Sequence, residues 1–585
     1  MSTKRILILL LSALMLLCLA LSACGGEEEE SSSKAPAAES SVASSKAESS
    51  EAESLEESSE EESSQIFISD IELPSEPESS EEASSEAESS VEESSEEESS
   101  EEESIEESSE EESSEAESSE AESSEESIPD TDPYRDNEGN YTLNDLEMPA
   151  FEFPDTLFTV CVYGNAMQKT YYSEEIGYGI YNTRIENYVK IRNNLLAQDY
   201  GVEIQAYRVN DVLETLLNDA MAGTVDYDAA MPFLSDAIAL GQEQLLYDLH
   251  DFVGTIHLEA PWWDQKANSV LSFDGKQYFA VGDVTISHKK ASAAVLFNKT
   301  LAYDLDVDFY SLVEQKKWTI DTMYETGKLL AADLDGIPGM GVTDTWGTVG
   351  TYDSSLYHYI ASGKQLITIG VGGTPKATLG DATALTTLLK IQQTLLANGQ
   401  SVLPMESLEG EVADYTKAGK EIFESGRALF YVDTLASVAS LRKGENVEFG
   451  ILPMPLQTAS QKSYYTPVMG QYAYGICIPK NVSDAAFSAY MVEALACYSK
   501  NSVSPEYEEG LLRSTNYADW DSRAMLEIIF DNMVYDLGVI HGMGGAGDVI
   551  TGLYRDGSTA VASAVYGILP DIEAAIAEYQ SLYRD

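Results

Sequence analysis

Residues 27–128 repeat pairs of serine with runs of glutamate, as in Glu92-Glu93-Ser94-Ser95-Glu96-Glu97-Glu98-Ser99-Ser100. The tract holds 40 acidic side chains, two lysines and few apolar residues, a net charge of −38. Such a segment cannot bury enough apolar surface to offset the entropy lost on ordering, so it is expected to be disordered. A single long helix is the rival reading. Like charges at i,i+4, with no Lys or Arg to pair them, weaken it. Any compact fold is therefore confined to the 457 residues that follow, which is enough for two or three domains.

A flexible coil of the tract's length averages on the order of 55 Å end to end, and full extension reaches roughly 350 Å. Self-repulsion sets the span between these limits, which predicts a spacer. The run Gln65-Ile66-Phe67-Ile68-Ser69-Asp70-Ile71 is an apolar irregularity within it. The remainder carries 62 acidic and 29 basic side chains, and the whole chain stands at −69. Nucleic acids and anionic lipid surfaces are recognised through clustered Lys and Arg, so neither is a partner by charge.

The chain opens with Lys4 and Arg5, an apolar run over 6–20 and small residues before a cysteine, the pattern of a secretory signal. The run is shorter than the roughly 20 residues that span a bilayer as a helix. Leu21-Ser22-Ala23-Cys24-Gly25 resembles a bacterial lipoprotein lipobox. That resemblance implies a signal peptide over 1–23 and a lipidated Cys24 at the mature N-terminus, and the composition that follows predicts a disordered stalk, so that 24–133 is the lipidated cysteine and its stalk. Two or three acyl chains anchor stably where one is marginal. The location implied is the outer face of the cytoplasmic membrane. Beyond Cys18 and Cys24 only Cys161, Cys477 and Cys497 remain, an odd number without CxxC spacing, so no zinc site or disulfide framework is signalled. One disulfide among the three stays open.

From Pro154 short apolar runs alternate with amphipathic stretches. Strands are predicted over 157–163, 202–207 and 227–231, with helices over 184–198 and 212–222. Strands alternating with helices argue for βαβ units and a parallel sheet, whose ligands bind beyond the carboxyl ends of the strands.

The later motifs, in order, are Gly275-Lys276-Gln277-Tyr278-Phe279-Ala280, Val295-Leu296-Phe297-Asn298-Lys299, and a helix that begins at Lys317-Trp318-Thr319. Next come Asp333-Leu334-Asp335-Gly336 leading to Asp344-Thr345-Trp346-Gly347, and Phe423-Glu424-Ser425-Gly426-Arg427-Ala428-Leu429-Phe430. Phe449-Gly450-Ile451-Leu452-Pro453-Met454-Pro455 and Tyr474-Gly475-Ile476-Cys477-Ile478-Pro479-Lys480 complete the series. In this order the motifs resemble those of bacterial extracellular solute-binding proteins of ABC importers, the sugar-type two-lobed family. The resemblance covers roughly 155–585. It implies an α/β, periplasmic-binding-protein-like (type II) fold with interlobe hinge strands. Lobe one would be 150–296 plus 476–540, and lobe two 299–470 plus 548–585. Crossings are expected at 295–299 and 475–478, with a third near the C-terminal end. A solute between the lobes would favour a closed state by hinge rotation. The partners implied are a small polar solute, with sugar favoured, and the permease subunits of an importer. A monomer without cofactor or metal is expected.

The chain holds 34 Tyr and 5 Trp, and none precedes Tyr134. Flat rings with a polar tip suit sugar faces, and Asp, Asn and Gln complete the hydrogen bonds. Most such rings pack in cores, so candidates are taken from loops after predicted strands. They are Asn165, Tyr171 and Tyr172 after the first strand, Asp283 after the Gly275 motif, and Trp346 and Tyr352 after the Asp-Gly loop. Tyr431 and Asp433 follow Gly426, and Gln471 and Tyr472 precede the second crossing. Of the pair Trp262-Trp263, one ring is assigned to core and Trp263 to the cleft. Thr434-Leu435-Ala436 stands where sugar receptors of this kind often place an aromatic residue, so a peptide or other polar solute stays open.

Two motifs are decoys. Gly542-Met543-Gly544-Gly545-Ala546-Gly547 satisfies GxGxxG, but too little chain follows for a dinucleotide fold, and an interlobe loop is expected. Read as an EF-hand, the loop at Asp333 has Ala331 at the first position and Val342 where a bidentate Glu belongs, so a turn with Asx hydrogen bonds is expected. A secreted glycosidase using two carboxylates is the enzyme alternative. No GxSxG or HExxH is present, and His250, His257, His288, His358 and His541 form no nucleophile arrangement. A sensing or attachment role is the third reading.

Overall fold

In the computed structural model, residues 132–583 are described, apart from 145, 147, 151–152, 154–155, 165–170, 182, 273–274, 371–372, 442–446 and 515–519. The signal sequence, Cys24, the Ser/Glu tract and Asn165 lie outside the described residues. The apolar run after Phe153 forms β1 (Thr156–Tyr163), buried on both faces from Phe158 onward as a central parallel strand must be. Thr183 caps the following helix, Arg184–Tyr200, by accepting from the Glu186 N–H, and Gly201 ends it at φ 69°. The chain returns as β2 (Val202–Val209), parallel to β1 with Thr156 opposite Val202. Helix Val212–Ala222, capped by Asp211, leads to β3 (Ala229–Ala230) on the other side of β1. The order is β2-β1-β3. Antiparallel bridges extend this sheet through Ala230 to Cys477 and on through Ile476 to Ala280.

A second sheet is built from β4 (Ala293–Asn298), β5 (Trp346–Gly350), and, after a hairpin of β6 (Ile367–Ile369) and β7 (Pro375–Ala377), β8 (Val402–Pro404), β9 (Ala428–Thr434) and β10 (Phe449–Leu452). Its order is β10-β4-β9-β5-β8. Strands β5, β8 and β9 run parallel, while β4 is antiparallel to both its neighbours. Helix Ile320–Lys328, capped by Thr319, crosses β5 so closely that a Cβ on Gly347 would sit 2.5 Å from the Gly327 carbonyl carbon. Glycine at 347 permits that approach.

Three segments lie side by side where the chain passes between the sheets. β11 (Thr466–Pro467) pairs in parallel with β12 (Met533–Val534), and Val468 bridges Ser292. Met469 N–H donates to Ala291 O at 2.9 Å and Val468 N–H to Val534 O at 3.0 Å. These positions shift the crossings expected at 295–299 and 475–478. Val295 pairs with Val432 and Leu452 inside the second sheet, and Ile476 and Cys477 lie inside the first. Apolar runs buried on both faces belong to sheet interiors, and the change of sheet comes a few residues earlier. Helix Ala485–Lys500 packs on Arg184–Tyr200, but Trp520–Asp531 packs on β10, so the stretch 476–540 divides between the two sheets. Helices Ala546–Arg555 and Val561–Tyr583 pack on each other and on Ser354–Ala361 and Ala382–Ala397. The glycine run before them makes a tight turn against the last helix: Gly544 has φ 59°, and a Cβ there would meet Ile572 N at 2.3 Å. Cys161, Cys477 and Cys497 are buried free thiols.

Candidate functional site

Strands β5, β8 and β9 point their carboxyl ends the same way, and each end carries an acid. Asp353 follows β5, Glu406 follows β8, and Asp433 is the penultimate residue of β9. Asp353 occupies the cap position of helix Ser354–Ala361 yet makes no side-chain capping bond. Glu406 accepts from the Tyr352 N–H at 3.1 and 3.2 Å. Asp433 accepts from its neighbour's Thr434 N–H at 2.7 Å and from the Tyr431 hydroxyl at 3.3 Å. Burial raises all three above the usual carboxylate range, Asp433 to about 6. Repulsion adds to it, from Asp548 at Asp353, from Asp353 and Asp433 at Glu406, and from Asp353 at Asp433.

The first sheet supplies the facing rings. Tyr171, in the loop after β1, and Tyr472, in the short 3-10 turn Gly470–Tyr472, stack with centroids 4.3 Å apart and planes 8° from parallel. The Tyr171 hydroxyl shares a 2.9 Å hydrogen bond with Thr434 Oγ1 at the end of β9. Burial raises the Tyr171 and Tyr472 phenols, and the charges of Asp433 and Asp353 add to it. Tyr357 is buried, which raises its phenol, and the charges of Asp353 and Asp433 add to it. Tyr352 meets Tyr554 edge to face at 5.6 Å. The result is a polar crevice of carboxylates from one sheet and aromatic faces from the other, suited to hydrogen-bonding and stacking a small solute.

No protein-family model and no curated protein sequence matches this chain. Solved structures do. A cyclo/maltodextrin-binding protein complexed with maltotetraose is 14% identical, with a TM-score of 0.50, covering 73% of this chain and 99% of that one. The fold is that of a two-lobed solute-binding protein. An ABC substrate-binding protein from Listeria monocytogenes in complex with cycloalternan is 13% identical, with a TM-score of 0.48 over 72% of this chain and 99% of that one. The sugar-binding protein MalE from Xanthomonas citri is 13% identical, with a TM-score of 0.49 over 74% and 100%.

The residues chosen from sequence divide in this two-lobed frame. Tyr171, Asp433 and Tyr472 come together at the crevice, with Gln471 beside Tyr472 and Tyr431 buried beneath Asp433, while Tyr352 is tied to Glu406 and to the Tyr554 ring. Tyr172 turns instead to Tyr181, ring to ring at 4.3 Å, and to Lys290, which is paired with Glu174. Three others are placed elsewhere. Trp263 is core like Trp262: its indole N–H donates to Glu493 Oε2 at 3.0 Å, and Glu493 also accepts from His257. Asp283 is held by Lys289 at 3.2 Å and Lys500 at 2.9 Å, beside a separate cavity of about 270 Å³. Burial pushes its carboxyl up, but the two ammonium groups outweigh this and bring it to about 2. Trp346 is buried and donates to Gly341 O at 3.0 Å, closing the Asp333 loop. In that loop the carboxylate oxygens of Asp333, Asp335 and Asp344 lie within 4.8 Å of one another. They accept from the backbone N–H groups of Gly336, Ile337, Leu334 and Gly341, the bonds expected of Asx turns.

Sequence reading missed Asp353, Glu406 and Tyr357. Asp353 and Glu406 carry a signal close to that of Asp433, an acid at or just beyond a strand's carboxyl end. The strands that precede them, Trp346–Gly350 and Val402–Pro404, are too short to announce themselves.

Proposed function

We propose that this chain is a membrane-tethered extracellular receptor that binds a small polar solute, a carbohydrate, between its lobes and delivers it to an ABC importer. The observation that carries this is the crevice itself. Asp353, Glu406 and Asp433 stand at the ends of parallel strands and face Tyr171 and Tyr472 from the other lobe. The two-lobed neighbour named above was solved with maltotetraose, which supports a sugar as the first solute to test. The three adjoining segments at Ser292, Val468 and Met533 form the hinge. Cys24 supplies the lipid anchor at the outer face of the cytoplasmic membrane, the Ser/Glu tract spaces the lobes from it, and the receptor acts as a monomer. Among the described residues no helix is long and apolar enough to cross a membrane.

Thermal-shift and calorimetric titration of the full chain with mono- and oligosaccharides, amino acids and short peptides tests the reading. Saturable stabilisation by one sugar class, with the ligand recovered unchanged, supports a receptor. Product formation favours a hydrolase instead, and stabilisation by peptides alone overturns the carbohydrate assignment.

A further inference from the structure

A further cavity, of about 320 Å³, has walls from both lobes and from the segments that cross between them. Lys266 and Val270, on helix Gln265–Leu271, come from the first lobe, and Ile360 and Lys364 from the second. Tyr465 and Tyr535 adjoin the crossing strands β11 and β12. Helix Ser354–Ala361 begins beside Asp353 at the crevice and reaches this cavity at Ile360, about 10 Å further along its axis. Crevice and cavity therefore lie at opposite ends of one helix.

The folded part of the chain holds 62 acids against 29 bases, yet no carboxylate lines this cavity. The nearby acids are engaged elsewhere. Asp264 accepts from the Tyr535 hydroxyl at 2.7 Å and caps its own helix, and Asp536 accepts from the Leu366 and Gly538 N–H groups at 2.6 and 2.8 Å. The Asp531 side chain lines the separate cavity beside Asp283. Lys266 Nζ donates to the Asp531 carbonyl and Lys364 Nζ to Thr383 Oγ1 at 3.3 Å. Each ammonium group thus meets a neutral oxygen, and neither has a carboxylate partner among the described residues. Val270, Ile360 and the two tyrosines supply apolar surface between them. Ligand pockets combine apolar walls with a few polar groups that fix orientation. A carboxylate offers two acceptor oxygens, one for each ammonium group, and such charge-assisted hydrogen bonds are stronger than neutral ones.

We propose that this cavity is a second binding site, which takes a compact monocarboxylate with an apolar body, held between Lys266 of one lobe and Lys364 of the other. The site stands apart from the crevice and does not depend on the crevice being the solute site. Because its walls belong to both lobes, its occupancy is linked to the angle between them.

Calorimetry on the full chain would compare octanoate and benzoate with their uncharged amides, octanamide and benzamide, and with inorganic sulfate. At least one carboxylate is expected to bind saturably, about 10-fold or more tighter than its amide and than sulfate. Lys266→Met and Lys364→Met, each checked for an intact thermal transition, should each weaken that binding about 5-fold or more. Hydrogen exchange should slow in both 266–271 and 360–365 when the carboxylate is bound. An amide that binds as tightly as its acid, or sulfate that binds as tightly as either carboxylate, would overturn the ligand class. Affinity unchanged in both lysine variants, or exchange slowed in neither segment, would put the probe elsewhere and overturn the site. No saturable binding by either carboxylate overturns the proposal outright. Should a lysine variant fail to fold, Val270→Trp, which narrows the cavity, takes its place and is expected to weaken binding likewise.

Discussion

The Tyr171 hydroxyl and Thr434 Oγ1 lie 2.9 Å apart, joining the loop after β1 in one lobe to the last residue of β9 in the other. Tyr171→Phe keeps the stack on Tyr472 and removes one neutral hydrogen bond, a loss of about 0.5–1.5 kcal/mol seen as a small fall in Tm of the free protein. Tyr171→Ala also removes a ring from the crevice and is expected to weaken solute binding about 10-fold or more, which corresponds to ~1.4 kcal/mol. Calorimetry reads the second effect. An alanine variant that binds like the parent would remove Tyr171 from the site.

Asp433 makes stability depend on pH in the direction opposite to a paired carboxylate. Its carboxyl titrates at about 6 in the folded chain against 3.8 when unperturbed. Between about pH 4 and 6 the folded state holds a proton that the unfolded state has released, so this group's contribution to stability falls as pH rises through that window. Asp433→Asn should flatten the curve and stabilise the ligand-free protein at pH 7 by on the order of 1 kcal/mol, the group being only partly buried. Thermal melts from pH 4 to 7 check it. A variant with the parent's pH profile would show that Asp433 is not the titrating group.

Asp283 is the converse case. Held at about 2 by Lys289 and Lys500, it contributes stability above about pH 4 that is lost as pH falls toward 2. Asp283→Asn removes the partner shared by buried Lys289, which keeps Glu508, and half-buried Lys500, and should cost about 1.5–3 kcal/mol. Denaturant titration measures the loss, and solute affinity in the folded variant should equal the parent's. Reduced affinity at unchanged stability would return Asp283 to the binding site.

Cys24→Ala should move the protein from the membrane pellet to the soluble fraction, because a chain with no acyl groups has nothing to hold it there. Intact-mass measurement of the membrane fraction should show the added acyl mass in the parent. Pellet association of the alanine variant would point to a retained apolar N-terminus as the anchor.

The first lobe was readable locally. Phe158, Val160 and Val162 form a continuous apolar run, Thr183 and Glu186 mark a helix start, and Gly201 its end, so β1, helix Arg184–Tyr200 and β2 fall where periodicity puts them. The Trp pair was not readable in the same way. Which of Trp262 and Trp263 faces a cleft depends on whether a partner waits in the core, and Glu493, more than two hundred residues away, satisfies the Trp263 indole. The ion pairs of Asp283 were no more readable, since Lys500 reaches it from a distant helix.

Sequence by itself determined where this chain can fold. A serine-glutamate tract with no core to bury leaves the 457 residues after it to form the lobes, and the alternation of apolar runs with amphipathic helices makes those lobes α/β. Only the tertiary structure decided which side chains meet at the candidate site. Asp353, Glu406 and Asp433 meet because the strand order β9-β5-β8 is parallel and brings three carboxyl ends together, and Tyr171 meets Thr434 because the hinge segments set one lobe against the other. Such meetings depend on hydrogen-bonded register between distant strands, which local residue patterns do not encode.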